Sequence, residues 1–499
     1  MKISLMDVPF SNEYALLSEF LSIPPDASDG VERSRKQLES RNFPRQELAD
    51  VLHRYNADLG NDDLALANAR RLAEPDSVCV LTGQQLGFMG GPIYTFLKAL
   101  SCLLLARETG AIPIFWAATE DHDINEIDHA YQLNPYGNLV RYVLHWPQSG
   151  AAVEDLPLLP QHKEVIRAYW QALSPLSNSL PAQELQDDNY SRAMMRLLVH
   201  AFAGTGMVFL EPRVLRPFAK EFFAKEITDC EAMTATLTAT TQRLVQTGGK
   251  GVLAITNGPN LFYKDSNGYR RRIHFEQGAY RIGSRSISRD ELLKELSENS
   301  DRFSPSAAAR PVMQNLLLPT IAYVAGPTEL QYHAQLFDYH VAHGAHMPWI
   351  IPRISATLIT PQARQILDSL QLQPWDEIPT GWNEVMPNID QLGGQLEKAC
   401  STSVSSLFGT QVLPNVHHSL SHFVHQVKEK AIIAKLVDMG LHHHSLHLLH
   451  NLLQPQGKPQ ERVLGWWVFQ ACTSANLVHQ LLDHLNYRET GHYFIDLTG

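Results

Sequence analysis

Between positions 77 and 119 the chain passes through apolar runs of two lengths, and each length predicts a different element. Residues 77–82 (SVCVLT) form a short β-branched run that ends in a glycine-bearing segment, residues 83–92 (GQQLGFMGGP). Residues 93–108 are apolar over a helix-length stretch and stop at Gly110, the residue type that most often closes a helix. Residues 112–119 (IPIFWAAT) are again short and apolar. Strand, glycine loop, helix and strand make a βαβ unit, which requires parallel strands in a buried sheet. Such sheets bind ligands at the carboxyl ends of their strands. The glycine segment and the polar run 120–123 (EDHD) both lie at such ends.

The pattern returns further along. Residues 207–210 read as a strand, 217–246 as a long helix and 252–255 as another strand. Residues 261–263 and 270–275 flank Asn267-Gly268, a hairpin signal. Residues 321–325 and 349–354 read as strands around a helix over 329–342, which places Gly326, Thr328 and Glu329 after a strand. Residues 13–72 carry apolar positions at helical spacing, with a break near Pro24 and Pro25. Beyond about 374 the strand signals thin out. Residues 388–452 favour helix with weak heptads, and 459–499 read as one helix and a strand at 493–497. There is no internal repeat and no low-complexity linker.

Composition narrows the class. A chain of 499 residues exceeds one compact core. Its formal charge of −11 argues against a nucleic-acid-binding surface, although Arg270, Arg271 and Arg272 form a local basic run suited to an anion. The five cysteines are odd in number and lack CxxC spacing, which points to a reducing compartment and to core or incidental thiols. The first residues lack the apolar stretch of a secretory signal, and the apolar run 102–106 is too short to span a bilayer. A cytoplasmic protein without membrane association is expected.

Several groups can carry chemistry, each with a plainer alternative. Gly83, Gln84 and Gln85, with Gly90, Gly91 and Pro92, can offer backbone N–H groups to an anion before a helix, or can form a tight turn. The pattern is neither a P-loop nor GxGxxG. Glu120, Asp121, His122 and Asp123 crowd together after an apolar strand and can supply a general base or bind magnesium; acids at a helix start read the same way. His122, Glu126 and His129 share a face if helical, as do His443, His447 and His450, but ordinary polar faces are the commoner outcome, and no metal is assigned. Arg353 and Ser355, after the 349–354 strand, can clamp a phosphate or carboxylate, or form a surface ion pair. Tyr323, Gly326 and Glu329 offer polar groups at a strand end, with Glu329 equally suited to a helix N-terminus.

Segments 81–98 (LTGQQLGFMGGPIYTFLK), 114–130 (IFWAATEDHDINEIDHA), 260–263 (NLFY), 302–331 (RFSPSAAARPVMQNLLLPTIAYVAGPTELQ), 347–358 (MPWIIPRISATL) and 460–463 (QERV) together resemble the BshC family. The order of these motifs matches, and the resemblance spans nearly the whole chain. It implies an α/β fold: a Rossmann-like parallel-sheet core with connecting insertions, related to class I nucleotidyl transferases, and an α-helical, coiled-coil-like arm. Residues 1–375 would form the core, 376–455 the arm, and 456–499 a segment returning to the core. Residues 91–95, which include Gly91, Tyr94 and Thr95, fall where that superfamily keeps its phosphate-contacting turn. Its histidine pair is replaced here by Pro92, Ile93 and Tyr94, and its lysine-rich loop has no clear counterpart. The arm is short and histidine-rich for the family.

The implied activity is addition of L-cysteine to the amine of glucosaminyl-malate, forming an amide and completing bacillithiol. A carboxylate must be activated before it acylates an amine in water, so ATP or another nucleotide, with magnesium, is the expected cosubstrate. Glu120 or His122 would take the amine proton, Asp123 would orient the base or hold magnesium, Arg353 would bind phosphate or malate carboxylates, and Tyr94 would pack on substrate. Two rival classes remain: a nucleotidyl transferase acting on another small carboxylate, and a non-catalytic scaffold using the arm. The resemblance also implies a homodimer.

Overall fold

In the sheet that organises the chain, alternate residues of each strand enter opposite apolar layers. The computed structural model describes residues 1–6, 20, 27–134, 136–146, 150–173, 187–378, 386–489 and 491–498. Val80, Phe115, Ala117, Ala322, Val324 and Ile351 pack into one layer. Leu81, Ile114, Trp116, Tyr323, Ala325 and Ile350 pack into the other. A strand buried on both faces has no polar side, which is why these runs lack polar alternation.

Five parallel strands form this sheet: Cys79–Gln84, Ile112–Ala117, Val208–Leu210, Thr320–Ala325 and Trp349–Pro352. Numbered along the chain, their spatial order is 5-4-1-2-3, a Rossmann-like arrangement. The strand order reverses between Cys79–Gln84 and Thr320–Ala325, so the crevice beyond Gln84 and Ala325 is the switch point where a ligand is favoured. The expected βαβ unit is present: helix Ile93–Thr109 joins the first two strands and closes on Gly110 at φ 68°.

The insertion after the third strand carries an antiparallel five-stranded sheet, which includes the Leu261–Lys264 and Arg270–Glu276 hairpin turning at Gly268. A smaller sheet joins Lys2–Met6, His492–Asp496 and Ser355–Ile359, bringing the C-terminal segment beside the parallel sheet. Helices Met386–Phe408 and Leu413–Asp438 run antiparallel as an arm: Asp390 meets Lys428 at 2.5 Å, and Glu397 meets His417. Helix Ser445–Leu453 then packs beside Pro361–Leu370 in a separate apolar cluster.

Several elements differ from the sequence expectation. Residues 252–255 form no strand; the Val252 and Leu253 N–H groups instead both donate to Gln335 Oε1 at 2.8 Å. The helix expected over 217–246 divides at Asp229, into Lys220–Thr228 and Cys230–Gln246. That expected over 329–342 divides at Leu336, into Pro327–Gln335 and Phe337–Ala342. The C-terminal region holds two short helices, Trp466–Gln470 and Leu477–Leu482, rather than one. In the N-terminal region the described helices are Ala27–Leu38, Arg45–Leu59 and Asp63–Arg71; the expected break at Pro24 and Pro25 lies outside the described residues. Among the described residues, no helix is long and apolar enough to cross a membrane.

Candidate active site

A cavity of about 970 Å³ opens at the switch point. Strand ends supply Gly83, Gln84, Gln85, Glu120 and Asp121 to one side and Gly326 and Glu329 to another. The inserted sheet closes over it with Phe262, Arg270 and Arg272, and the C-terminal segment contributes Lys458 and Arg462. Seven basic side chains line the cavity against four acidic ones, the reverse of the chain's overall balance. That local excess suits an anionic ligand.

Glu120 lies at the cavity wall, 3% exposed, and its Oε2 has no hydrogen-bond partner among the described residues. Burial pushes its carboxyl up to about 7 against the pull of Arg310 and Arg270. A carboxylate that titrates near neutrality and has a free oxygen is equipped to accept a proton. Its neighbour Asp121 differs. Burial alone would raise its carboxyl, but His122 and Arg270 outweigh burial and hold it well below the usual range. Its oxygens already accept from Gln85 Nε2 and the His122 N–H, each at 2.7 Å.

Arg270 joins the inserted sheet to this strand end. Its guanidinium lies 3.8 Å over the Phe262 ring, donates to the Pro305 carbonyl at 2.6 Å and to Ser304 Oγ at 3.1 Å, and approaches His122 Nδ1 at 3.2 Å. The same Nδ1 lies 3.5 Å from Asp121 Oδ1, so the imidazole sits between the Arg270 guanidinium and the Asp121 carboxylate. Strand alternation sorts the basic run: Arg270 and Arg272 face the cavity, while Arg271 pairs with Asp265 at 3.0 Å on the opposite face.

Residues 8–354 match the family model described as Bacillithiol biosynthesis BshC, N-terminal Rossmann-like domain. The chain belongs to the BshC family. A relative from Heliobacterium modesticaldum is 30% identical, with 92% of each chain covered. One from Thermus thermophilus is 30% identical over 92% of this chain and 95% of its own. One from Koribacter versatilis is 28% identical over 88% and 87%. All three bear the name "Putative cysteine ligase BshC".

In this BshC-family chain the cavity gathers Gly83, Gln84, Gln85, Tyr94, Glu120, His122, Gly326, Glu329 and Arg353 from the residues singled out in the sequence. Tyr94 keeps its proton, because burial pushes its phenol up to about 12, and it receives a hydrogen bond from Gln84 Nε2 at 3.3 Å. Glu329 faces the cavity but is fully engaged. It accepts from the Gly326 N–H at 2.7 Å, Tyr323 at 2.9 Å and Tyr332 at 3.1 Å, and it pairs with Lys98.

The other candidates are placed elsewhere. Gly91 and Thr95 do not line the cavity. The turn around Gly91 is tight, with Met89, Gly90 and Gly91 all at positive φ, and its N–H groups are internally bonded: Gly90 to the Gly87 carbonyl and Gly91 to the Phe88 carbonyl, each at 3.0 Å. Steric need for glycine, rather than an anion cradle, explains this half of the segment. Asp123 is exposed and caps the Asn125 N–H at 3.2 Å. Tyr323 lies buried beneath Glu329. Ser355 donates to Glu461, which also takes both Arg353 Nη atoms at 2.9 and 2.5 Å, so Arg353 is not a free clamp.

The metal geometries considered from the sequence do not form. Residues 122–129 are not one helix, since His129 begins a strand, and His443 precedes the helix that holds His447 and His450. Among the described residues, no group of three or more His, Cys, Asp or Glu side chains can hold a metal. Magnesium needs no such cluster, since it is commonly held by one or two carboxylates together with nucleotide phosphates; no step is assigned to it. Lys98, Arg310, Lys458 and Arg462 also line the cavity and are not among the residues that the sequence marks as site candidates. Lys98, the one charged residue in the stretch 93–106, is the visible signal; the others reach the cavity only through tertiary folding.

Proposed function

We propose that the chain is an amide-forming ligase that joins the carboxylate of L-cysteine to the amine of glucosaminyl-malate, after a nucleotide such as ATP activates that carboxylate. The observation carrying this reading is Glu120: a buried carboxylate with a free oxygen, titrating near neutrality, in the wall of a cationic cavity at the switch point. A carboxylate oxygen of cysteine attacks phosphorus of the nucleotide, and pyrophosphate or ADP leaves. The substrate amine then attacks the activated carbonyl carbon, its proton passes to Glu120, and AMP or phosphate departs with the bonding electrons. The basic lining offsets the charge of phosphates and malate carboxylates that would otherwise repel one another. Tyr94, protonated at neutral pH, donates a hydrogen bond to bound substrate.

The arm supports a further part of this reading, association of two chains. Leu392, Leu396, Leu407, Phe408 and Phe423 are all exposed on it.

Mass spectrometry of the products from cysteine, glucosaminyl-malate, ATP and magnesium, with each omitted in turn, tests the activity. A product that requires all three organic substrates supports the ligase, and AMP or ADP release separates adenylate from acyl phosphate. No product under any combination refutes it.

A further inference from the structure

The turn Gln460–Arg462 sends its three side chains to three destinations. The Gln460 amide is buried and engages both backbone groups of Leu358. It accepts from the Leu358 N–H at 2.7 Å and donates to the Leu358 carbonyl at 2.9 Å, with a second donation to the Leu452 carbonyl at 2.6 Å. It thus occupies the edge of strand Ser355–Ile359 as a neighbouring strand would. Glu461 is buried beside it. Besides Arg353 it accepts from Ser355 Oγ and the Ala356 N–H, both at 3.2 Å. Two buried side chains therefore fix the turn to the sheet.

Arg462 is the third. It is exposed, lines the cavity, and pairs with no carboxylate among the described residues. Lys458, just before the turn, has the same three properties. The contrast with the other cavity cations is direct. Lys98, Arg270 and Arg353 each contact a carboxylate, Arg310 donates to Tyr332 at 2.7 Å, and Arg272 donates to Asn260 Oδ1 at 3.4 Å. An unpaired planar guanidinium held on a rigid turn loses little freedom when it binds a forked anion.

We infer that Arg462 and Lys458 are specificity-determining residues that bind the multiply charged anionic end of one substrate, a dicarboxylate or a phosphate chain, at the mouth of the cavity. Gln460, Glu461 and Arg353 are the positioning residues that hold them there. The assignment of the anion to a ligase substrate rests on the function proposed above; the anion site itself does not.

Calorimetric titration of the full chain with ATP and with glucosaminyl-malate, separately and without turnover, tests this. Arg462→Ala is expected to weaken one of the two about tenfold or more, the scale of a lost charge-assisted contact, and to change the other less than about twofold. Lys458→Ala weakens the same ligand, and Arg462→Lys gives an intermediate loss. The affected ligand shows whether the anion is phosphate or dicarboxylate. Lys294→Ala, which removes an equal charge on an exposed helix, leaves both affinities unchanged. Wild-type affinity for both ligands in Arg462→Ala, equal losses for both, losses matched by Lys294→Ala, or no binding to the wild type each overturn the inference. Arg462-dependent binding without any amide product would refute the ligase reading and leave the inference standing.

Discussion

The ammonium of Lys98, from the helix after the first parallel strand, pairs with the carboxylate of Glu329, from the helix after the fourth, across the switch point of the sheet. Lys98 is 1% exposed and also donates to the Gly83 carbonyl, so one side chain ties together both sides of the cavity floor. Burial alone would raise the Glu329 carboxyl, but Lys98 and Arg310 hold it at about 2.

Removing one partner leaves a buried charge uncompensated. Lys98→Met and Glu329→Gln should each cost about 3–5 kcal/mol in urea unfolding, and the double variant should lose less than the sum of the two. Because the folded Glu329 carboxyl is depressed, the stability it contributes is present above about pH 4.5 and is lost as pH falls towards 2. Single variants as stable as wild type would show that the pair does not secure the floor.

Glu120 has the opposite sign. The unfolded chain releases this proton near 4.5, whereas the folded chain retains it to about 7. Between those values the folded state binds more protons, so stability falls as pH rises and then levels off above 7. Glu120→Gln cannot ionise, so its melting temperature should gain on the wild type across that interval, by the equivalent of about 3 kcal/mol. The rate should show the converse: wild-type kcat/KM rises through pH 7, and Glu120→Gln loses that limb with an activity drop of about 10²-fold or more. An unchanged pH–rate profile in the variant would remove Glu120 as the base.

Arg270 cannot be replaced by lysine at equal charge. Its flat fork stacks on Phe262 while reaching Ser304, Pro305 and His122, and a lysine ammonium cannot span those directions. Arg270→Lys should lower kcat about tenfold, with a smaller effect on melting temperature, because His122 and Asp121 lose their shared orientation. Wild-type kcat in this variant would show that the tie between the inserted sheet and the strand end is structural only.

What the sequence reveals about this site follows the range of the contacts. The βαβ unit is legible because strand, loop and helix are neighbours, and Gly83, Gln84 and Glu120 reach the cavity for that reason. The glycine segment is half legible: composition cannot tell a loop whose N–H groups point outward from one whose N–H groups bond inward, and the turn around Gly91 is the second kind. Arg353 is visible as a strand-end cation, but its partner Glu461 lies 108 residues away, so its engagement is hidden. The basic run at 270–272 is legible as a whole, and period-two alternation, applied to the expected strand, separates Arg271 from its neighbours. Arg462 and Lys458 carry no local pattern that sets them apart.

The arm offers the last test. Gly393 sits where a Cβ would lie 2.8 Å from Val424 Cγ2, so the two helices already touch closely on that side and leave the larger apolar residues outward. Leu407 is 74% exposed and Phe408 65%, at the tip where one helix ends and the next begins. Apolar side chains of this size, left in water at the end of a projecting hairpin, are a natural contact between two copies. Sedimentation velocity at micromolar concentration should give a dimer for the wild type and a monomer for the Leu407→Glu, Phe408→Glu double variant. The melting temperature should fall little, because neither side chain supports the core. A wild-type monomer, or a dimer untouched by the substitutions, would place any association elsewhere on the chain.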